Sequence, residues 1–300
     1  MKNFRTIILL SLASLSLFNS CEKSDKLDSK SVFVDSDKPK NALDNYIYEN
    51  ITKPYNIQIL YKYVDRESDV NYHLVPATYD GSVRLTKLLI YLGTGPYDQV
   101  TGSKQFVRDN FARLFNYIGN VAVQNNGSVI LGTAENGAKI SLYNVINLNA
   151  TSGLNQAFLN QYYFKTVHHE TQHIFNQRKP FPTGFNEITG TAYVDDAWNQ
   201  VWASSGAAIA AGFISTYASK APTEDFAELY SFYITRSQAE FDAMLNVTGS
   251  TAAGRALIAS KLTIVKNYMN SEWGINMDQL RQVILDRYAN LNSFDQTTLN

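Results

Sequence analysis

Cysteine is nearly absent from this 300-residue chain, which carries only Cys21. No disulfide can form within it, and thiolate clusters that hold zinc or iron–sulfur groups are excluded. Histidine is almost as scarce, with four residues, so a histidine-based metal site must draw on very few positions. Neither sign of charge is in excess: 26 Lys and Arg face 27 Asp and Glu. A net charge near −1 leaves no basic footprint, and nucleic acid is not an expected partner. No repeat recurs at any period, so a solenoid or propeller is not expected. What the chain does have is 45% hydrophobic residues, ample for a core in one large domain or two small ones. Its 19 Tyr and 16 Phe suit an aromatic-rich interior or groove and point to no single chemistry.

The first twenty residues read as an export signal. Lys2 and Arg5 form a positive start, and Ile7 to Leu17 give an apolar stretch too short to span a bilayer. The stretch ends Leu17-Phe18-Asn19-Ser20-Cys21, which resembles a bacterial lipobox in the relaxed form common among Bacteroidota lipoproteins. That resemblance implies cleavage before Cys21 and lipidation of its thiol, making the protein membrane-anchored rather than membrane-spanning. The plainer reading is an ordinary signal with a stray cysteine. Residues 21–40, rich in Ser, Asp and Lys, read as a flexible tether. The expected domains are therefore a signal at 1–20, the tether at 21–40 and a catalytic domain at 41–300.

Within that domain Asn41 to Thr52 carries a helical apolar stripe stopped by Pro54, and Ile57 to Tyr63 alternates like a strand. Val83 to Leu92 reads as a second strand. Phe106 to Ile118 reads as a helical face closed by Gly119. Ser128–Thr133 and Lys139–Leu148 read as strands joined through Glu135-Asn136-Gly137. Ser152 is the expected cap of a long helix reaching Arg178. Helices then follow over Gly206–Tyr217, Glu224–Thr235, Ser237–Asn246, Thr251–Asn270 and Asn276–Tyr288. The expected class is α+β: a small mixed sheet with helices, an active helix, then a mostly helical part, the order of a zincin-like metallopeptidase domain.

The active helix is named for His169-Glu170-x-x-His173. Residues i and i+4 share one helix face, so both imidazoles can grip one metal ion. Glu170 then stands where a carboxylate can take a proton from water. Three of the four histidines fall within residues 168–173. His168 lies roughly 100° off the ligand face and is expected to back the site up or face solvent; His73 is assigned nothing. The plainer reading, a surface helix with solvated histidines, needs no metal.

A catalytic zinc takes three protein ligands and leaves a fourth position open. No histidine follows His173, so a carboxylate must complete the set. Glu224 and Glu228 in Thr223-Glu-Asp-Phe-Ala-Glu228 stand one turn apart beside Phe226, Leu229, Tyr230 and Tyr233. Buried there, they need a metal or a partner: one can bind zinc while the other accepts a ligand histidine's outer N–H. Glu224 fits best, with Glu228, Glu187, Asp195 and Asp196 as rivals. The alternative is a solvated acidic helix start near the positive dipole end.

His169-Glu170-x-x-His173, then Tyr217, then Glu224-x-Phe226-Ala227-Glu228 resembles the catalytic domain of anthrax lethal factor-type gluzincin peptidases over about residues 155–240. The resemblance implies one zinc per chain, Glu224 as its third ligand, Tyr217 as a catalytic tyrosine and Glu228 behind a ligand. Asp225 departs from that motif, which carries an apolar residue there, and adds a competing carboxylate. Signal, cysteine, length and motif placement together are similar to the substrate import-associated zinc metallohydrolase lipoproteins of Bacteroidota. That likeness implies an outer-membrane lipoprotein acting on peptide or protein, with the import machinery as a further partner. A second class remains open: a non-catalytic envelope lipoprotein that binds a nutrient or partner on a zincin scaffold. The intact Glu170 speaks against it, since a purely structural metal needs no base.

Overall fold

The computed structural model describes residues 40–299 except 70, 124–128, 131, 136 and 137. The signal, Cys21, the tether and the Asn136-Gly137 turn lie outside the described residues. Helix α1 opens at Ala42–Ile47 under a capping box in which Asn41 and Asp44 satisfy each other's backbone N–H groups. It runs on through a wider π-helical turn, Tyr48–Thr52, into Lys53–Tyr55. Pro54 does not stop it as expected, because a proline in the first turn of a new helical stretch loses no needed donor. Asn56, in the left-handed conformation, ends it.

Strand β1 (Gln58–Leu60) follows, shorter than the expected run. Val83–Leu92 is helix, not strand. Thr78 accepts the Gly81 N–H to start α2 (Tyr79–Leu88), which continues through a π-helical turn (Leu89–Thr94) into α3 (Gly95–Thr101). Leu85, Leu88, Leu89 and Leu92 are all fully buried. Their spacing marks one helix face, but the unbroken apolar run Leu88–Leu92 also suits a buried strand, and a short run of that kind does not separate the two. The Phe106–Ile118 segment also divides: α4 (Lys104–Asn110) gives way to β2 (Leu114–Tyr117). Gly119 closes no helix. A Cβ there would meet the Pro76 carbonyl oxygen at 2.2 Å, so glycine is required by a close backbone approach.

Strands β3 (Ala122–Val123) and β4 (Val129–Ile130) form a small antiparallel pair. Strands β5 (Gly132–Glu135) and β6 (Lys139–Leu142) pair antiparallel, with Glu135 opposite Lys139. The larger sheet runs β1-β2-β6-β5; its first three strands are parallel and β5 lies antiparallel at the edge. Every residue of β6 is buried, as expected for a parallel strand covered on both faces.

Asn155, rather than Ser152, caps the long helix, accepting the Phe158 N–H at 3.0 Å. Ser152 instead closes the preceding turn, accepting the Asn149 N–H at 2.8 Å. The helix runs as α5 (Gln156–Leu159), a π-helical turn (Asn160–Phe164) and α6 (Lys165–Arg178). Next come α7 (Gly184–Thr189) and α8 (Ser205–Ala210), the latter shorter than expected. The last four match the expectation closely: α9 (Pro222–Ile234), α10 (Gln238–Leu245), α11 (Ala252–Trp273) and α12 (Met277–Ala289). Ser237, Thr251 and Asn276 cap the last three. Helices α6 and α9 pack side by side, and α6 also runs beside edge strand β5. Val167, Phe175, Phe226 and Tyr230 belong to the one large core that joins helices and sheet. Among the described residues, no helix is long and apolar enough to cross a membrane.

Candidate metal centre

Helix α6 presents His169 and His173 on the side that meets α9, while Val167, Thr171, Ile174 and Phe175 are buried with the core. Helix α9 answers with Glu224 in its first turn and Glu228 one turn on. Three atoms converge between the helices. His169 Nε2 lies 3.1 Å from Glu224 Oε2, His173 Nε2 lies 3.2 Å from the same oxygen, and the two imidazole nitrogens stand 3.0 Å apart. The corners of such a triangle lie about 1.8 Å from its centre. Donors so close together suit one shared ion at the ~2.0–2.2 Å bonds that zinc makes to imidazole and carboxylate. Among the described residues these three form the one cluster of His, Cys, Asp or Glu compact enough to hold a metal.

Charge supports the same fit. Glu170, Glu224 and Glu228 lie within electrostatic reach of one another's histidine neighbours, and the nearby ammonium is that of Lys165. With neutral imidazoles this leaves two negative charges that a dication would balance. Without the metal a proton offsets one of them: burial works against a charged His169, but Glu224 and Glu228 outweigh it and raise His169 to about 9. Burial likewise opposes ionised Glu224, yet both histidines hold it well below the usual carboxylate range.

Glu228 is the outer support. It stands 3.0 Å from His169 Nδ1, so it can fix the ring's tautomer and leave Nε2 free for a metal. Lys165 pairs with its Oε1, and Ser215 donates to its Oε2 at 2.7 Å. Burial would raise the Glu228 carboxyl; Lys165 and His169 bring it below the usual range instead. Lys165 and Ser215 had no place in the sequence reading. Lys165 had a signal, since it lies four residues before His169 and shares its face; Ser215 had none.

Glu170 is half-buried beside the histidines. Burial pushes its carboxyl up, against the pull of His169 and His173, which suits a base that must accept a proton near neutral pH. Tyr217 sits in a short 3₁₀ turn, Tyr217–Lys220, just before α9. Its ring centroid is 6.1 Å from that of His169, and Trp198 meets it edge-on at 5.0 Å. Burial raises the phenol strongly, and the Glu224 carboxylate raises it further, so the hydroxyl keeps its proton and can donate.

The rival ligands lie elsewhere. Glu187, Asp195 and Asp196 are exposed, and Asp196 pairs with Lys220 at 3.2 Å. Asp225 is fully buried but turns from the histidines to the Lys261 ammonium. His168 neither faces solvent nor touches the metal ligands. It is buried against the core with Nδ1 3.0 Å from the Tyr97 hydroxyl, which lies 2.9 Å from that of Tyr230. Burial lowers it to about 3, so it stays neutral.

A family described as a "putative zinc-binding metallo-peptidase" matches residues 36–278. No curated protein matches the chain. A crystal structure from Bacteroides caccae, with the same description, is 30% identical and superposes with a TM-score of 0.73. The match covers 90% of this chain and all of that one. With its paired histidines and Glu224 gathered at one point between two packed helices, the chain belongs to this family of zinc-binding metallo-peptidases.

Proposed function

We propose that the chain is a zinc-dependent peptidase of the gluzincin type. One observation carries the reading: His169, His173 and Glu224 converge within bonding reach of a single ion, with Glu170 half-buried beside them. Zinc held there would supply a Lewis acid that polarises a scissile carbonyl and acidifies water. The carboxylate of Glu170 takes the proton from the attacking water and passes it to the leaving amine. The hydroxyl of Tyr217 donates to the oxyanion that develops as the carbonyl is attacked. Glu228, held by Lys165 and Ser215, fixes His169. Peptide or protein is the proposed substrate, and the cell envelope the proposed location, with Cys21 as lipid anchor. A link to outer-membrane import machinery belongs to the same proposal and rests on the lipoprotein likeness alone.

Metal content of the purified full chain tests the reading, with wild type beside Glu224→Ala and Asp195→Ala. One zinc per wild-type and Asp195→Ala chain, lost in Glu224→Ala, is the expected result. Zinc kept by Glu224→Ala but lost from Asp195→Ala would require a different ligand set. A folded wild type without zinc would leave only the binding-protein class.

A further inference from the structure

Lys261 sits on the apolar stripe of α11, with Ile258 and Val265 one turn to either side, and its side chain is fully buried. Its ammonium pairs with Asp225 Oδ2 and donates to the Gly212 carbonyl at 3.0 Å. The Phe213 ring lies 4.3 Å from it, with the rings of Tyr193 and Phe185 at 5.5 and 5.6 Å. Three of these residues, Asp225, Gly212 and Tyr193, lead to different parts of the metal centre. Asp225 is the residue after Glu224. Gly212, at φ +92°, ends the turn after α8 and directs its carbonyl to the ammonium. Three residues on, Ser215 bonds Glu228, and Tyr217 follows. The Tyr193 hydroxyl donates to Asp225 Oδ2 at 2.9 Å. Its neighbour Val194 bonds the Ser219 carbonyl at 2.9 Å, and Trp198 of the same segment walls Tyr217.

We propose that Lys261 is a positioning residue for the metal centre, holding Glu224, the strand of chain that carries Tyr217, and the Tyr193–Trp198 segment in one geometry through Asp225 and Gly212. The proposal rests on the metal reading above. A buried ion pair is often no better for stability than well-packed apolar residues of the same volume, so stability does not by itself account for this one. The pair also explains the departure at residue 225: an apolar residue could fill the space but could not accept from both Lys261 and Tyr193.

The double variant Asp225→Leu/Lys261→Met removes both charges at similar volume. In the full chain purified in detergent, the zinc dissociation constant is measured by competition with a chromophoric chelator, alongside thermal unfolding. The double variant is expected to unfold cooperatively near the wild-type Tm while its Kd for zinc rises about tenfold or more, the usual cost of losing outer-shell support. A wild-type Kd in the folded double variant overturns the proposal and leaves the metal reading standing. No zinc uptake by the wild type overturns both. Should the double variant not fold, Tyr193→Phe, which deletes one hydroxyl, decides. A several-fold rise in Kd, or a fall in kcat at unchanged KM, supports the proposal. Both constants unchanged, with only Tm moved, overturns it.

Discussion

In the proposed mechanism Glu170 and Tyr217 divide the chemistry between a group that accepts a proton and one that keeps it. Burial acts in the same direction on both, raising the carboxyl and the phenol, but the consequences differ. A raised carboxylate becomes a better base near neutral pH, whereas a raised phenol becomes a more secure donor. Glu170→Gln should therefore retain one zinc per chain and lose peptide hydrolysis by at least a hundredfold. Tyr217→Phe should retain zinc and fold while kcat falls by an order of magnitude or more. Single-turnover hydrolysis with metal analysis on the same samples checks both; wild-type turnover in either variant removes that residue from the mechanism. At this scale the sequence was most readable where spacing encodes geometry. His169, His173 and Glu170 follow from the helical repeat alone. Asp225 did not: adjacency to Glu224 made it look like a competing ligand. What decides its direction is Lys261, 36 positions away on another helix, a partner that no local pattern names.

Helices with one wet face announce themselves, and helices without one do not. Helices α10, α11 and α12 carry both a cap and an apolar stripe, and their bounds were readable to within a few residues. The α2 segment keeps the helical spacing of Leu85, Leu88, Leu89 and Leu92, but the unbroken apolar run Leu88–Leu92 suits a buried strand equally well. The cap of the metal-bearing helix was displaced by three residues because Ser152 and Asn155 are both good caps. Only the turn formed by Asn147, Asn149 and Ser152 shows that the serine is otherwise engaged. Asn155→Ala should accordingly cost about 1 kcal/mol, lowering Tm by roughly 2–4 °C in a domain of this size, with zinc binding unchanged. Calorimetry of the two proteins checks this, and an unchanged Tm would mean that the cap adds nothing to the helix.

On the scale of the whole molecule, metal, protons and folding compete for one cluster. In the metal-free chain His169 holds its proton up to about pH 9, whereas an unfolded histidine releases it near ~6.5. The folded state thus binds more protons between those values, and stability must fall as pH rises across them. Glu224 and Glu228 have lowered values, so their contribution is present above the ordinary carboxylate pKa near ~4.3 and fades as pH drops below it. Buried His168, lowered to about 3, stays neutral where an unfolded histidine would gain a proton, so stability also falls as pH drops below ~6.5, and metal-free protein should be most stable near pH ~6.5. Zinc needs the nitrogen that the proton occupies, so its binding displaces that proton and strengthens with pH. Any ligand confined to the folded state raises Tm in proportion to its affinity. Melting curves from pH 5.5 to 9, with chelator or with one equivalent of zinc, should diverge: the chelated Tm declines above pH 6.5 while the zinc-induced shift grows. The slopes are tied, because the same proton is lost in one case and exchanged for metal in the other. A zinc shift that stays constant across this range would mean that His169 is not a ligand, whatever its distance from Glu224.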